Sequence, residues 1–228
     1  MEIISKPFGE YQTNCYVLNV TPDDVKSNNV VARYMQEGNF STQDSKDFQL
    51  IIDPGMQSSQ WVIQNCHNPL AILNTHGHFD HIWDNATLQS HFSGIELICH
   101  SEDAFLLQED IFGLALSPSS PTKTIEVSKD SQSIQIGGID ILFHHYPGHT
   151  PGCCMIEIGG VVFSGDFIFY RSIGRSDFAY SNPSDMRESL VRFESNAHLS
   201  PLTLYPGHGQ ATSAKSEQEN VKFWLPRV

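Results

Sequence analysis

Four metal-competent side chains fall within six residues, in His76-Gly77-His78-Phe79-Asp80-His81, directly after the apolar run Leu70-Ala71-Ile72-Leu73. The run reads as a buried strand, so the cluster lies just past a strand end. Three further candidates follow at wide intervals, each beside glycine. They are His149 in Pro147-Gly148-His149-Thr150, Asp166 in Ser164-Gly165-Asp166, and His208 in Pro206-Gly207-His208-Gly209. These segments must be brought together by the fold if their donors are to act on one centre. Strand ends held by a rigid sheet are where such sites are built.

Each residue type suits that use. In an extended segment His76 and His78 point the same way, because the side-chain period is two. Asp80 and His81 lie at the start of a helix, where the dipole favours a carboxylate. Gly77 is expected to let the backbone pass close to the metals. The Pro-Gly turns fix the direction of the His149 and His208 rings. Asp166 has two oxygens and no proton at neutral pH, so it can bridge two cations. A lone histidine is more often a satisfied polar group. His67, His91 and His198 are read that way, and His100 as a local hydrogen-bonding group. His144 and His145 occupy opposite faces of one strand, so at most one can face the site.

The 228 residues suffice for one domain with a substantial core. Polar residues dominate from Thr21 to Asp47, which reads as a loop insertion. The net charge of −13, with only 13 Lys and Arg, leaves no cationic face for nucleic acid. The five cysteines are odd in number and include no C-x-x-C. They suggest core thiols in a reducing, cytoplasmic setting. No signal-peptide stretch begins the chain, and no apolar run approaches the ~20 residues of a membrane helix. Strands are expected at Cys15 to Val20, Phe48 to Ile52, Leu70 to Thr75, Ile95 to Cys99, Ile139 to Tyr146, Cys153 to Ile158, Val161 to Ser164 and Leu202 to Tyr205. Helices are expected at Gln57 to His67, Ile82 to His91, near Glu102 to Leu107, after Asn182-Pro183 and after Thr212. Asp110 to Thr124 reads as a loop.

Thr75-His76-Gly77-His78-Phe79-Asp80-His81 resembles the T-H-x-H-x-D-H signature of the metallo-β-lactamase superfamily. Asp53-Pro54-Gly55, Pro147-Gly148-His149, Ser164-Gly165-Asp166 and Pro206-Gly207-His208 occur in the order that family shows. Gly174-Arg175-Ser176-Asp177-Phe178 is similar to a stretch of the short, single-domain glyoxalase II-like hydrolases. The resemblance implies an α/β fold, a four-layer αββα sandwich of two mixed β-sheets flanked by helices, without a C-terminal helical domain. It implies two divalent metal ions, with zinc the first expectation and iron or manganese compatible. His76, His78 and His149 would hold one ion. Asp80, His81 and His208 would hold the other, Asp166 would bridge them, and Asp53 would support the ligand loops.

The implied activity is hydrolysis of a glutathione thioester, S-D-lactoylglutathione, by water activated between the ions. Asp80 would orient that nucleophile, and Arg175 would meet an anionic part of the substrate. A tyrosine expected nearby is replaced by Asp177. Two alternatives share the fold. One is a persulfide dioxygenase, using a single iron on His76, His149 and Asp166. The other is a metallohydrolase of another small ester or lactone.

Overall fold

The computed structural model describes residues 1–26, 33–34 and 47–228. Period-two alternation along the strands divides the apolar residues into separate sets, and these sets define the layers. In β4 (Phe48–Ile52), Leu50 and Ile52 face one way and Ile51 the other. The same split separates Ala71 and Leu73 from Ile72 in β5 (Pro69–Leu73).

Seven strands form the first sheet, in the order β3-β1-β2-β4-β5-β6-β7. Its other members are β1 (Glu2–Phe8), β2 (Thr13–Val20), β3 (Arg33–Tyr34), β6 (Glu96–His100) and β7 (Lys123–Ile125). The strands β4 to β7 are mutually parallel, whereas β2 runs antiparallel to both β1 and β4. Six strands form the second sheet. They are β8 (Ser131–Ile136), β9 (Ile139–His145), β10 (Cys154–Ile158), β11 (Val161–Gly165), β14 (Thr203–Pro206) and β15 (Thr212–Ser213). Their order is β15-β14-β11-β10-β9-β8, with β11 and β14 parallel. A hairpin of β12 (Ile168–Phe169) and β13 (Ser172–Ile173) stands apart.

The inner faces of the two sheets share one apolar cluster, which includes Leu18, Leu50, Leu73, Phe143, Ile156 and Phe163. Fully burying side chains of this size contributes roughly 1.5–3 kcal/mol each. Helices cover the outer faces. On the first sheet Val62, Ile82, Leu88 and Leu106 pack inward. They come from α2 (Ser59–Asn65), α3 (Phe79–Ile82), α4 (Asn85–His91) and α5 (Ala104–Gln108). On the second, α6 (Pro183–Ser195) buries Met186, Leu190 and Phe193, and α7 (Ala214–Trp224) buries Val221 and Trp224. The helix α6 starts as expected, with Pro183 in its first turn and Asn182 accepting from the Ser184 and Asp185 N–H groups. The architecture is therefore the expected αββα sandwich of two mixed sheets.

Some local expectations need correction. The stretch read as one helix from Ile82 to His91 is two, α3 and α4, separated at Trp83–Asp84. Asp84 turns back to accept the Ser59 N–H at 2.6 Å, tying α2 to this break. Within the segment read as a loop insertion, Pro22–Lys26 forms a short helix, α1, and Arg33–Tyr34 pairs in parallel with β1. Residues 27–32 and 35–46 lie outside the described residues. Among the described residues no helix is long and apolar enough to cross a membrane.

Candidate metal centre

Each expected donor leaves the sheets from a strand end or the loop behind it. Asp53 follows β4, the His76–His81 loop follows β5, His149 follows β9, Asp166 follows β11 and His208 follows β14. Backbone bonds fasten these loops together across the two sheets. Cys154 N–H donates to Thr75 O at 2.8 Å, Gly207 N–H to Gly165 O at 2.8 Å, and Asn14 N–H to Gly207 O at 2.7 Å. The side chains of Asn14 and Tyr16 add bonds of 3.0 and 2.7 Å to Pro206 O.

All seven expected ligands converge here. His76, His78 and His149 offer ring nitrogens within 4.8 Å of one another, and so do the donor atoms of Asp80, His81 and His208. Asp166 lies between the two groups. Its Oδ2 is 3.5 Å from His149 Nε2 and 3.3 Å from His208 Nε2, and its Oδ1 is 3.2 Å from His81 Nε2. His208 Nε2 lies 3.4 Å from Asp80 Oδ2. The centre is buried, with His76, His81 and His149 at most 2% exposed.

The surrounding bonds aim the rings. His149 Nδ1 donates to Arg175 O at 2.7 Å, and His208 Nδ1 to Tyr11 O at 2.9 Å. His81 Nδ1 is 3.0 Å from Asp53 Oδ2. Each ring thus keeps its Nε2 for the centre, a tautomer choice that outer partners commonly enforce in metal sites. Asp53 also accepts from the Thr75 N–H at 2.8 Å and the Thr75 hydroxyl at 2.6 Å, so one carboxylate fixes both the loop and a ligand. The Thr13 hydroxyl donates to Asp80 Oδ2 at 2.7 Å.

Two buried atoms are placed to take a cation. His76 Nε2 has no hydrogen-bond partner, and Asp166 Oδ1 has only the His81 ring, 3.2 Å away, beside it. Leaving buried polar atoms unsatisfied costs about 1–3 kcal/mol each. A divalent ion would satisfy them. Gly207 carries the same message: a Cβ there would sit 2.2 Å from Asp166 Oδ1 and 2.6 Å from His81 Cε1. Gly77 has a different reason from the one expected. A Cβ on it would meet Leu106 Cβ at 2.6 Å, so its smallness serves packing against α5.

Charge is divided unevenly. Burial and the neighbouring His81 push the His76 ring well below its usual pKa. Burial and His149 push His78 down to about 3, and burial also lowers His149. Burial opposes the charged form of His81 too, but Asp166 and Asp80 outweigh it and hold that ring well above its ordinary value. His208 is raised to about 9 against the same burial, by its bonds to Asp166 and Asp80. Asp80 falls to about 2 despite burial, because His81 stands beside it.

Other sequence expectations sort as follows. The Arg175 main chain is at the centre, whereas its guanidinium forms two 2.8 Å bonds to Asp177 and lies 4.2 Å from the Phe178 ring centroid. Neither His144 nor His145 enters the centre. His145 stacks on His100 at 4.0 Å, and His144 meets Glu157 at 3.0 Å. Asp103 was missed. It is buried and accepts from Gly77 N–H, the Thr150 hydroxyl and Gly152 N–H at 2.8, 2.6 and 2.6 Å, so it ties the His76–His81 loop to the His149 loop. Its only local signal was a carboxylate at the position just before α5. All five cysteines are free and buried, as expected of core thiols.

Comparison with known proteins gives consistent results. An uncharacterized protein of Mycobacterium tuberculosis is 32% identical over 76% of this chain and 86% of its own length. The hydroxyacylglutathione hydrolase GloC of Haemophilus influenzae is 29% identical over 85% of this chain and 94% of its own. Among solved structures, the BLEG-1 B3 metallo-beta-lactamase superposes with a TM-score of 0.74 at 26% identity, covering 98% of this chain and 99% of its own. TTHA1623, solved in a di-iron-bound form, gives 0.71 at 27% identity, covering 96% and 99%. The model of the metallo-beta-lactamase superfamily matches residues 43–208, a span that opens just before β4 and closes on His208 itself. Since that span contains every donor that the loops bring together, and since the fold that carries them is the family's own, the chain belongs to the metallo-beta-lactamase superfamily.

Proposed function

We propose that this chain is a metal-dependent thioester hydrolase of the glyoxalase II type, acting in the cytoplasm on a small acyl thioester, with S-D-lactoylglutathione the first substrate to test. The observation that carries the reading is the pair of three-donor groups joined by Asp166. The likeness to a hydroxyacylglutathione hydrolase supports the substrate class.

His76, His78 and His149 would hold one ion, Asp80, His81 and His208 a second, and Asp166 would contact both. Two divalent ions so held polarise a carbonyl and supply a strongly nucleophilic water at neutral pH. The all-N/O donor set suits zinc, iron or manganese. The chain's own residues do the rest. Asp53, Tyr11 O and Arg175 O hold His81, His208 and His149 in the required tautomers. Asp80 stays ionised and is steadied by Thr13, so it can orient the attacking water. The leaving thiolate, with a free pKa near 8.5, departs with little protonation. The persulfide dioxygenase alternative would use His76, His149 and Asp166, and would leave the complete Asp80, His81 and His208 group without a task. That group is what favours the hydrolase.

Purified protein with its metals quantified is expected to release thiol from S-D-lactoylglutathione and to consume no oxygen with glutathione persulfide. Oxygen uptake with one iron per chain would overturn the reading in favour of the dioxygenase. Cleavage of a lactone or β-lactam with no thioester turnover would move the substrate class.

A further inference from the structure

The loops around the centre carry exposed apolar side chains. The described residues include seven exposed large hydrophobic side chains: Tyr11, Leu114, Tyr170, Phe178, Tyr180, Val191 and Phe223. Val191 and Phe223 sit on α6 and α7. The other five sit on loops that also touch the centre. Tyr11 bonds His208 through its carbonyl, and Phe169, next to Tyr170, lies 5.9 Å from the His208 ring. Phe178 is 5.9 Å from the His78 ring and 6.2 Å from that of His149. Phe112, near Leu114, is 6.0 Å from the His78 ring, so the Asp110–Thr124 loop does reach the site.

These rings join into a collar. Tyr11 meets Phe79 edge-on at 5.2 Å, and Phe79 meets Phe112 at 5.8 Å. Phe178 approaches the same His78 ring as Phe112, and the Arg175 guanidinium lies 4.2 Å from the Phe178 ring centroid. That guanidinium is bound by Asp177 at two points, so it extends the collar's flat surface and does not present a free charge to a small anion. Tyr11 and Phe178 are exposed, whereas Phe79 and Phe112 are half-buried and Phe112 also packs against the core beneath α5; apolar side chains left at the rim of a site offer a place for an apolar group. Here it borders the rings of His78 and His149, so a group carried next to the reacting carbon would lie against it.

We infer that the collar of Tyr11, Phe79, Phe112 and Phe178 selects thioesters whose acyl group is apolar, aromatic or medium-chain, over acetyl or lactoyl thioesters. This rests on the thioesterase reading and narrows its substrate. Burying a group the size of a phenyl ring against such a surface is worth roughly tenfold to a hundredfold in binding. A hydroxylated two- or three-carbon acyl group gains little of that.

The test is a series of thioesters of one thiol, N-acetylcysteamine, carrying acetyl, lactoyl, hexanoyl and phenylacetyl groups. Thiol release by the metal-loaded enzyme gives kcat/KM, divided by each ester's uncatalysed rate. The corrected value is expected to be at least tenfold higher for hexanoyl and phenylacetyl than for acetyl. Phe178→Ala and Phe112→Ala are each expected to cut that ratio severalfold, while Phe223→Ala on α7 leaves it unchanged. A flat series, or a ratio unmoved in both collar variants, overturns the inference. Inhibitor binding separates the two layers of the proposal. If no thioester is hydrolysed yet phenylacetate binds at least tenfold tighter than acetate, the collar stands and the thioesterase reading falls. If phenylacetate and acetate bind alike, the collar is wrong whatever the reaction.

Discussion

The two halves of the centre are built from similar residues and differ in charge. In the half formed by His76, His78 and His149, burial keeps all three rings neutral, and His78 falls to about 3. In the half formed by Asp80, His81 and His208, the same burial is overcome by Asp80 and Asp166, and His208 rises to about 9. One half thus offers lone pairs already free of protons. The other holds protons in the place a metal would take. Position in the sheet does not explain this, since both halves sit on strand ends. Carboxylate count does: none in the first trio, one in the second, with Asp166 serving both. A metal that enters the second half must displace protons, and one that enters the first need not.

Removing Asp166 should have the largest effect, because both halves lose a donor. Asp166→Ala is expected to lower hydrolysis by roughly a thousandfold or more and to reduce metal content at both halves. Elemental analysis and kcat/KM on one preparation check this. Retention of two metals at full rate would show that the halves do not meet at this residue.

Proton release comes next. His81 and His208 are raised in the metal-free chain, so they are protonated at neutral pH and the proton competes with metal. Apparent affinity for the second equivalent should therefore rise with pH between about 6.5 and 9, by roughly tenfold per unit for each proton displaced. Affinity at the neutral trio should stay nearly flat over that range, because His78 titrates near 3. Calorimetric titrations in buffers of different ionisation heats measure the protons released at each step. Equal release at both steps would erase the contrast between the halves.

Asp53→Asn sharpens the comparison further. Asp53 grips His81 Nδ1 at 3.0 Å and Thr75 in the adjoining loop. The variant should weaken metal affinity or activity by about 10- to 100-fold. The loss should be larger at the second half, where the misaligned ring lies. The smallest effect is expected at Thr13. Its hydroxyl holds only one oxygen of Asp80, so Thr13→Val should lower kcat by about tenfold, the lower end of what one hydrogen bond to a charged group is worth. KM should move little.

Much of this centre is legible in the sequence alone, for a physical reason. Histidine and aspartate beside glycine, just past an apolar run, are local signals, and His76, His78, His149, Asp166 and His208 carried them, while Asp80 and His81 stand in the same six-residue cluster. The αββα layers were legible chiefly through the family resemblance; the alternation in β4 and β5 marks strands but does not say which sheet faces which. Non-local partners were hidden. Asp103 holds Gly77, Thr150 and Gly152 through bonds that span up to 49 positions, and nothing around it in sequence announces them. Arg175 was read for its charge, but its backbone carbonyl reaches His149 while Asp177 occupies its side chain. The strand β1 was missed because Lys6 and Pro7 interrupt its apolar pattern, and pairing with β2 overrides that weak propensity. The polar strand β8 was missed because only Ile134 and Ile136 are buried in it.

Anomalous diffraction from a crystal of this protein soaked in a zinc salt tests the central claim most directly. Two peaks are expected, one among His76, His78 and His149 and the other among Asp80, His81 and His208, with the Asp166 carboxylate between them. A single peak, or zinc bound elsewhere while these groups keep their metal-free hydrogen bonds, would contradict a two-ion centre.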